Sequence, residues 1–170
     1  MQNLFGSIQR SNETSTIVMR RTIKTSPQDA WDAIVTPQRC ARWLGAVSGD
    51  LQPGGKYRIT FDDSDTTALV EGEVLRCIPA SELVVTWQAP GDEPSQVTVV
   101  LLPAGDSTEL LLTHSGLRAT SSDTGHAAGW QVYLDQLAAG LEVNDWSDRW
   151  SAWGDLKRAY EAVAGMRQED

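Results

Sequence analysis

The chain has 170 residues, enough for one domain burying about 70% of its unfolded surface. Its 41% hydrophobic and 22% charged residues exclude global disorder, collagen-like and coiled-coil classes. Fourteen Lys and Arg against 23 Asp and Glu give a net charge of −9, a surface that repels phosphate backbones and anionic headgroups, so no nucleic-acid partner is expected.

Residues 1–15 are polar and carry few large apolar side chains, so they are expected to form a flexible leader, with no secretory signal. Without a signal or an apolar run long enough for a membrane span, the expected compartment is the cytosol. A β-like stretch from Thr16 to Lys24 then meets Thr25-Ser26-Pro27-Gln28-Asp29. Ser26 suits an N-cap, Pro27 the first helical position and Asp29 the first turn, so a helix starts here. Trp31, Ile34 and Val35 share one of its faces, and Thr36-Pro37 ends it and opens a second short helix carrying Cys40, Trp43 and Leu44. Cys40 and Cys77 form no CxxC and are read as small buried hydrophobes.

Beyond Leu44 the apolar period changes from 3.6 to 2. Pro53-Gly54-Gly55 reads as a hairpin turn before Tyr57, Ile59 and Phe61, which alternate with Lys56, Arg58 and Thr60. Further strand patterns follow over Thr67 to Ile78, Glu82 to Gln88, Gln96 to Leu102 and Thr108 to Ser115, separated by turn sequences. Five or six such strands with short connections predict an antiparallel meander rather than a doubly wound parallel sheet.

A 3.6 period returns over about 122–142. Tyr133, His126, Leu137, Trp130, Leu141 and Leu134 fall within an arc of about 100°, opposite Asp135, Gln131 and Glu142, which predicts one long helix with its apolar face on the sheet. The main domain is thus expected over 16–145. Residues 146–165 then form an amphipathic helical extension, with Trp146, Trp150, Trp153, Leu156, Tyr160 and Val163 on one stripe, docked on the domain or on a second subunit. A curved sheet closed by a straight helix leaves space between them.

Only His114 and His126 are available for imidazole chemistry. Both face the expected sheet–helix interior, where each can bond a ligand or transfer protons, or merely satisfy a backbone group. No spacing supplies a third metal ligand and no nucleophile motif occurs, so no catalytic residues, metal or other cofactor are assigned. Seven tryptophans are many for this length, and Trp43, Trp87 and Trp130 come from three elements that the arrangement brings together, which suits an aromatic ligand as well as core packing.

The ordered landmarks Arg21-x-Ile23-x-x-Ser26-Pro27-x-x-x-Trp31, Arg42-Trp43-Leu44, Asp50-Leu51-x-Pro53-Gly54-Gly55, Gly72-Glu73-Val74, Leu83-x-x-Thr86-Trp87, Thr108-x-Leu110-x-Leu112-Thr113-His114-x-Gly116-Leu117 and His126-x-x-Gly129-Trp130 resemble the START-like SRPBCC superfamily. Within it they are most similar to the branch of homologues of the heat-shock protein 90 ATPase activator. The resemblance implies an α+β helix-grip fold, a curved antiparallel sheet wrapped around a long C-terminal helix with a hydrophobic tunnel between them. It implies Trp43, Trp87, His114 and Trp130 as tunnel wall. Tyr57, Ile59, His126 and Leu134 complete the candidate ligand contacts. The branch shares no catalytic set, so the leading expectation is a protein that binds a hydrophobic or aromatic small molecule. The alternatives are a cyclase- or dehydratase-like enzyme on a cyclic substrate, with His114 or His126 as acid/base, and a chaperone-interacting module. A homodimer is the other partner expected.

Overall fold

The computed structural model describes residues 3–118 and 123–166. Among these, one eight-stranded antiparallel sheet carries two short helices, a long helix and a C-terminal helix. The strands are β1 (Gly6–Arg10), β2 (Thr14–Ile23), β3 (Ala46–Gly49), β4 (Lys56–Thr60), β5 (Leu69–Ile78), β6 (Glu82–Trp87), β7 (Ser95–Ala104) and β8 (Ser107–Arg118). Their spatial order is β1-β2-β8-β7-β6-β5-β4-β3. The strands from β3 to β8 form a continuous meander. The link from β2 to β3 joins opposite sides of the sheet, and it contains α1 (Pro27–Val35) and α2 (Pro37–Cys40).

The start of α1 is locally encoded: the Ser26 hydroxyl accepts from the Asp29 N–H at 3.2 Å, with Pro27 in the first turn. Helix α2 is only four residues long, so Trp43 and Leu44, expected on it, lie in the turn just beyond. Cys40 is buried and Cys77 half-buried, both as free thiols.

Residues 6–10 correct the expectation of a flexible leader. They pair with Ser15 to Met19 as a strand, and half-buried Leu4, Phe5 and Ile8 pack on the core. Arg10 adds a fork to Asp123, donating from Nε at 2.7 Å and Nη2 at 2.9 Å, while Ser15 Oγ donates to the same carboxylate at 2.8 Å. These donors hold the Asp123 carboxyl below its ordinary range, the Arg10 hydrogen bond contributing most. Residues 1 and 2 lie outside the described residues.

The long helix, α3, spans Asp123–Val143; residue 122, where its start is expected, lies outside the described residues. Trp130, Leu134 and Leu137 are buried as the pattern predicts. The opposite side is not left to water, because Gln131 is also buried, donating from Nε2 to the Asn3 carbonyl at 2.8 Å and accepting from the Tyr160 hydroxyl at 2.5 Å. What covers it is β1 together with α4 (Trp153–Met166), which buries Leu156 and Tyr160. The extension is thus helical only from Trp153, after a single 3-10 turn at Trp150–Ala152; residues 144–149 carry neither helix nor strand. Trp150 and Val163, expected on the packed stripe, are each 39% exposed. No helix among the described residues is long and apolar enough to cross a membrane.

Candidate functional site

Strand alternation turns Thr108, Leu110, Leu112 and His114 of β8 inward, and His114 is fully buried. Gly116, at φ 76°, then inserts an extra residue opposite β2 at the step between Ser15 and Ile17, which brings Leu117 to the inward face beside His114. The imidazole sits at a hydrogen-bonded junction. Trp130 Nε1 donates to His114 Nδ1 at 3.0 Å, and since an indole N–H can only donate, the imidazole proton belongs on Nε2. Nε2 then donates to Ser95 Oγ at 2.8 Å, and Ser95 Oγ donates to the Trp87 carbonyl at 2.9 Å. Burial, aided by nearby His126, pushes the His114 pKa down to about 3. A neutral ring with both nitrogens committed does not carry protons near neutrality; it ties α3 to β6 and β7.

Two spaces meet at this junction. Between sheet and helix lies an apolar cavity of about 80 Å³, lined among others by Trp43, Tyr57, Ile59, Val85, Val99 and Leu112. Outside it opens a cleft of about 450 Å³, walled by Phe61, His126, Tyr133, Trp150 and Trp153. Trp87 and Trp130 line both, with ring centroids 5.2 Å apart at 52°, and so form the partition. The cavity is small for an organic ligand, whereas the cleft lies within the usual range of about 300–1,000 Å³.

The cleft is mostly aromatic. Phe61 stacks on Tyr133 at 6.0 Å and Trp130 meets Tyr133 at 6.2 Å. Tyr133 in turn meets Trp150 in a T-shaped contact at 5.0 Å and 79°. His126 stands nearly perpendicular to His114, centroids 5.9 Å apart. Burial raises the Tyr133 phenol above its ordinary value, so it remains an O–H that can donate to a ligand acceptor.

The eight expected ligand contacts therefore divide. Trp87, His114, His126 and Trp130 gather at the partition and cleft. Trp43, Tyr57 and Ile59 line the inner cavity, where Trp43 Nε1 donates to the Ala33 carbonyl at 2.9 Å and the Tyr57 hydroxyl to the Thr86 carbonyl at 2.5 Å. Leu134 is fully buried and lines neither space. Phe61, Tyr133, Trp150 and Trp153 are cleft residues beyond that set. Tyr133 was recoverable from its place on the helical arc with His126 and Trp130; the two extension tryptophans carry only a packing signal in the sequence.

Residues 24–142 match the family described as Activator of Hsp90 ATPase homolog 1-like protein. The chain belongs to this family. Its architecture is the helix-grip fold of the SRPBCC superfamily. The crystal structure of CalU16 from Micromonospora echinospora is similar at a TM-score of 0.74 and 25% identity, over 93% of this chain and 94% of that one. DynU16, a protein of the dynemicin biosynthetic locus, reaches 0.71 and 26% identity over 79% of this chain and 49% of its own. The Aha1 dimer from Colwellia psychrerythraea reaches 0.65 and 24%, over 76% of this chain and 98% of that one. No curated protein matches the chain.

Proposed function

We propose that the protein is a cytosolic binder of an apolar aromatic small molecule, held in the cleft against the Trp87–Trp130 partition, the cleft being the open half of a tunnel whose closed half is the inner cavity. The observation that carries this reading is the aromatic lining of a cleft of about 450 Å³. Aromatic faces give an apolar ring both burial and favourable edge or stacking geometry, while the Tyr133 phenol and the His126 imidazole add polar groups to the lining. A family whose fold suits ligand-binding and cyclase-like proteins supports it. Catalysis through His114 loses its footing, because that imidazole is neutral and both its nitrogens are already bonded, to Ser95 and Trp130. The homodimer enters the reading through the dimeric Colwellia relative, and sedimentation equilibrium tests it.

A thermal-shift screen with indole, naphthalene derivatives and larger polycyclic compounds, followed by native mass spectrometry, tests the binding reading. A ligand at 100 times its Kd stabilises by about 2.7 kcal/mol, or roughly 5–10 °C for a domain of this size. It should also quench tryptophan fluorescence. Stimulation of an Hsp90 ATPase by the chain, with no stabilising ligand in the screen, would overturn the reading in favour of the chaperone module.

A further inference from the structure

The segment after α3 folds back along that helix as a strap. Asn144, in the left-handed region at φ 57°, ends α3 by donating its N–H to the Gly140 carbonyl at 3.0 Å and reverses the chain. Trp146 then lies over Gly140 so closely that a Cβ there would be 2.2 Å from the indole. The Arg42 guanidinium covers the Trp146 ring at 5.6 Å. The Arg149 N–H donates to Gln136 Oε1 at 2.9 Å, and Gln136 Nε2 donates to the Trp43 carbonyl at 2.9 Å. Trp150 makes a T-shaped contact with Tyr133, its ring tip 3.5 Å from where a Cβ on Gly129 would stand. Trp153 Nε1 donates to the Gly125 carbonyl at 3.1 Å. The strap thus descends α3 from Gly140 to Gly125, fixed at both ends, with Trp150 between the anchors and turned to the cleft.

Two facts give this arrangement a functional meaning. Trp150 and Trp153 line the cleft, yet both lie beyond residues 24–142, the segment that matches the family. Trp150 also leaves 39% of its surface exposed, although Arg149 before it and Trp153 after it are hydrogen-bonded to α3. An indole held on a rigid mount and partly bare beside other aromatic rings is a contact surface still available to a ligand.

We propose that the strap is the specificity wall of the cleft, and that Trp150 stacks on the outer ring of an elongated apolar ligand with three or more aromatic rings whose inner end rests on Trp87 and Trp130. The inference rests on the binding reading above. A ligand the size of indole is satisfied at the Trp87–Trp130 end and does not reach Trp150, so the strap selects for ligand length.

The test titrates the full chain with indole and with N-phenyl-1-naphthylamine, whose fluorescence reports transfer from water, comparing wild type with Trp150→Ala and Trp150→Phe. Expected is an approximately tenfold loss of N-phenyl-1-naphthylamine affinity in Trp150→Ala, most of it restored in Trp150→Phe, with indole binding changed less than twofold. Circular dichroism and the melting temperature establish that each variant is folded. If Trp150→Ala does not fold, Trp150→Gln takes its place, with the same outcome expected. Unchanged N-phenyl-1-naphthylamine affinity, or equal losses for both probes, would overturn the specificity wall while leaving the binding reading intact. Wild-type protein that binds neither probe would overturn both.

Discussion

His114 provides a sharp test because its burial has a calculable consequence for acid stability. The folded protein holds its pKa at about 3, against about 6.5 for an exposed imidazole. Between these values the unfolded chain takes up a proton that the fold refuses. The contribution is therefore fully present above pH 6.5 and is lost as pH falls toward 3. Integrated from pH 7.5 to 4.5, one such group removes about 2.5 kcal/mol, a large share of the roughly 5–15 kcal/mol that holds a typical domain together. In melting temperature this is roughly 5–10 °C. Asp29 and Asp123 have lowered pKa values and act at more acid pH, while burial raises Asp135, which works in the opposite sense. Subtracting a variant removes these shared contributions. His114→Gln keeps an amide able to accept from Trp130 and donate to Ser95 but cannot titrate. It should cost about 1–2 kcal/mol at pH 7.5 through poorer hydrogen-bond geometry and then lose far less stability on acidification. Calorimetry of both proteins at half-unit steps from pH 7.5 to 4.5 reads the difference. Parallel curves for wild type and variant would refute the buried neutral imidazole.

Gly140→Ala and Gly129→Ala should shift stability in opposite directions. Alanine normally gains up to about 1 kcal/mol over glycine inside a helix, and Gly129 has room for it at 3.5 Å, whereas the Gly140 methyl would enter the Trp146 ring and dislodge the strap. Melting temperatures with the same sign for both would sink the seating of Trp146. Tyr57→Phe removes the hydroxyl donated to the Thr86 carbonyl but keeps the ring against the inner cavity. It should lower stability by about 1 kcal/mol in urea titrations while leaving ligand affinity within twofold.

Legibility in the sequence followed the range of the interactions concerned. The cap at Ser26 and the alternation from Lys56 onward are set by neighbours a few positions apart, and both are realised as strand and helix boundaries. Strand β1 escaped because no residue among the first fifteen advertises its partner: Arg10 needs Asp123, 113 positions away, to form its fork. The four residues of β3 include a single large apolar side chain, too few to show a period. Gln131 reads as a solvent-facing residue of α3 until Tyr160, 29 positions on, reaches its amide. The site divides in the same way. Convergence of Trp87, His114 and Trp130 follows from strand and helix phase, whereas the neutral state of His114 depends on Ser95 and Trp130, which sequence order separates from it by 19 and 16 positions.

The same division separates what the family segment builds from what is added to it. Residues 24–142 contain β3 to β8, α1, α2 and nearly all of α3, and with them the Trp87–His114–Trp130 junction. Strands β1 and β2, with the strap and α4, lie outside that segment; the N-terminal residues and α4 cover the side of α3 that carries Gln131, burying it and Tyr160. A helix buried on both sides has little freedom to shift, so a cleft along its edge keeps its shape. One wall of that cleft belongs to the shared scaffold and the other to the added strap. Substitutions on the strap can therefore alter the shape of the cleft without disturbing the hydrogen-bonded junction behind it, because no strap residue takes part in the chain from Trp130 through His114 and Ser95 to Trp87.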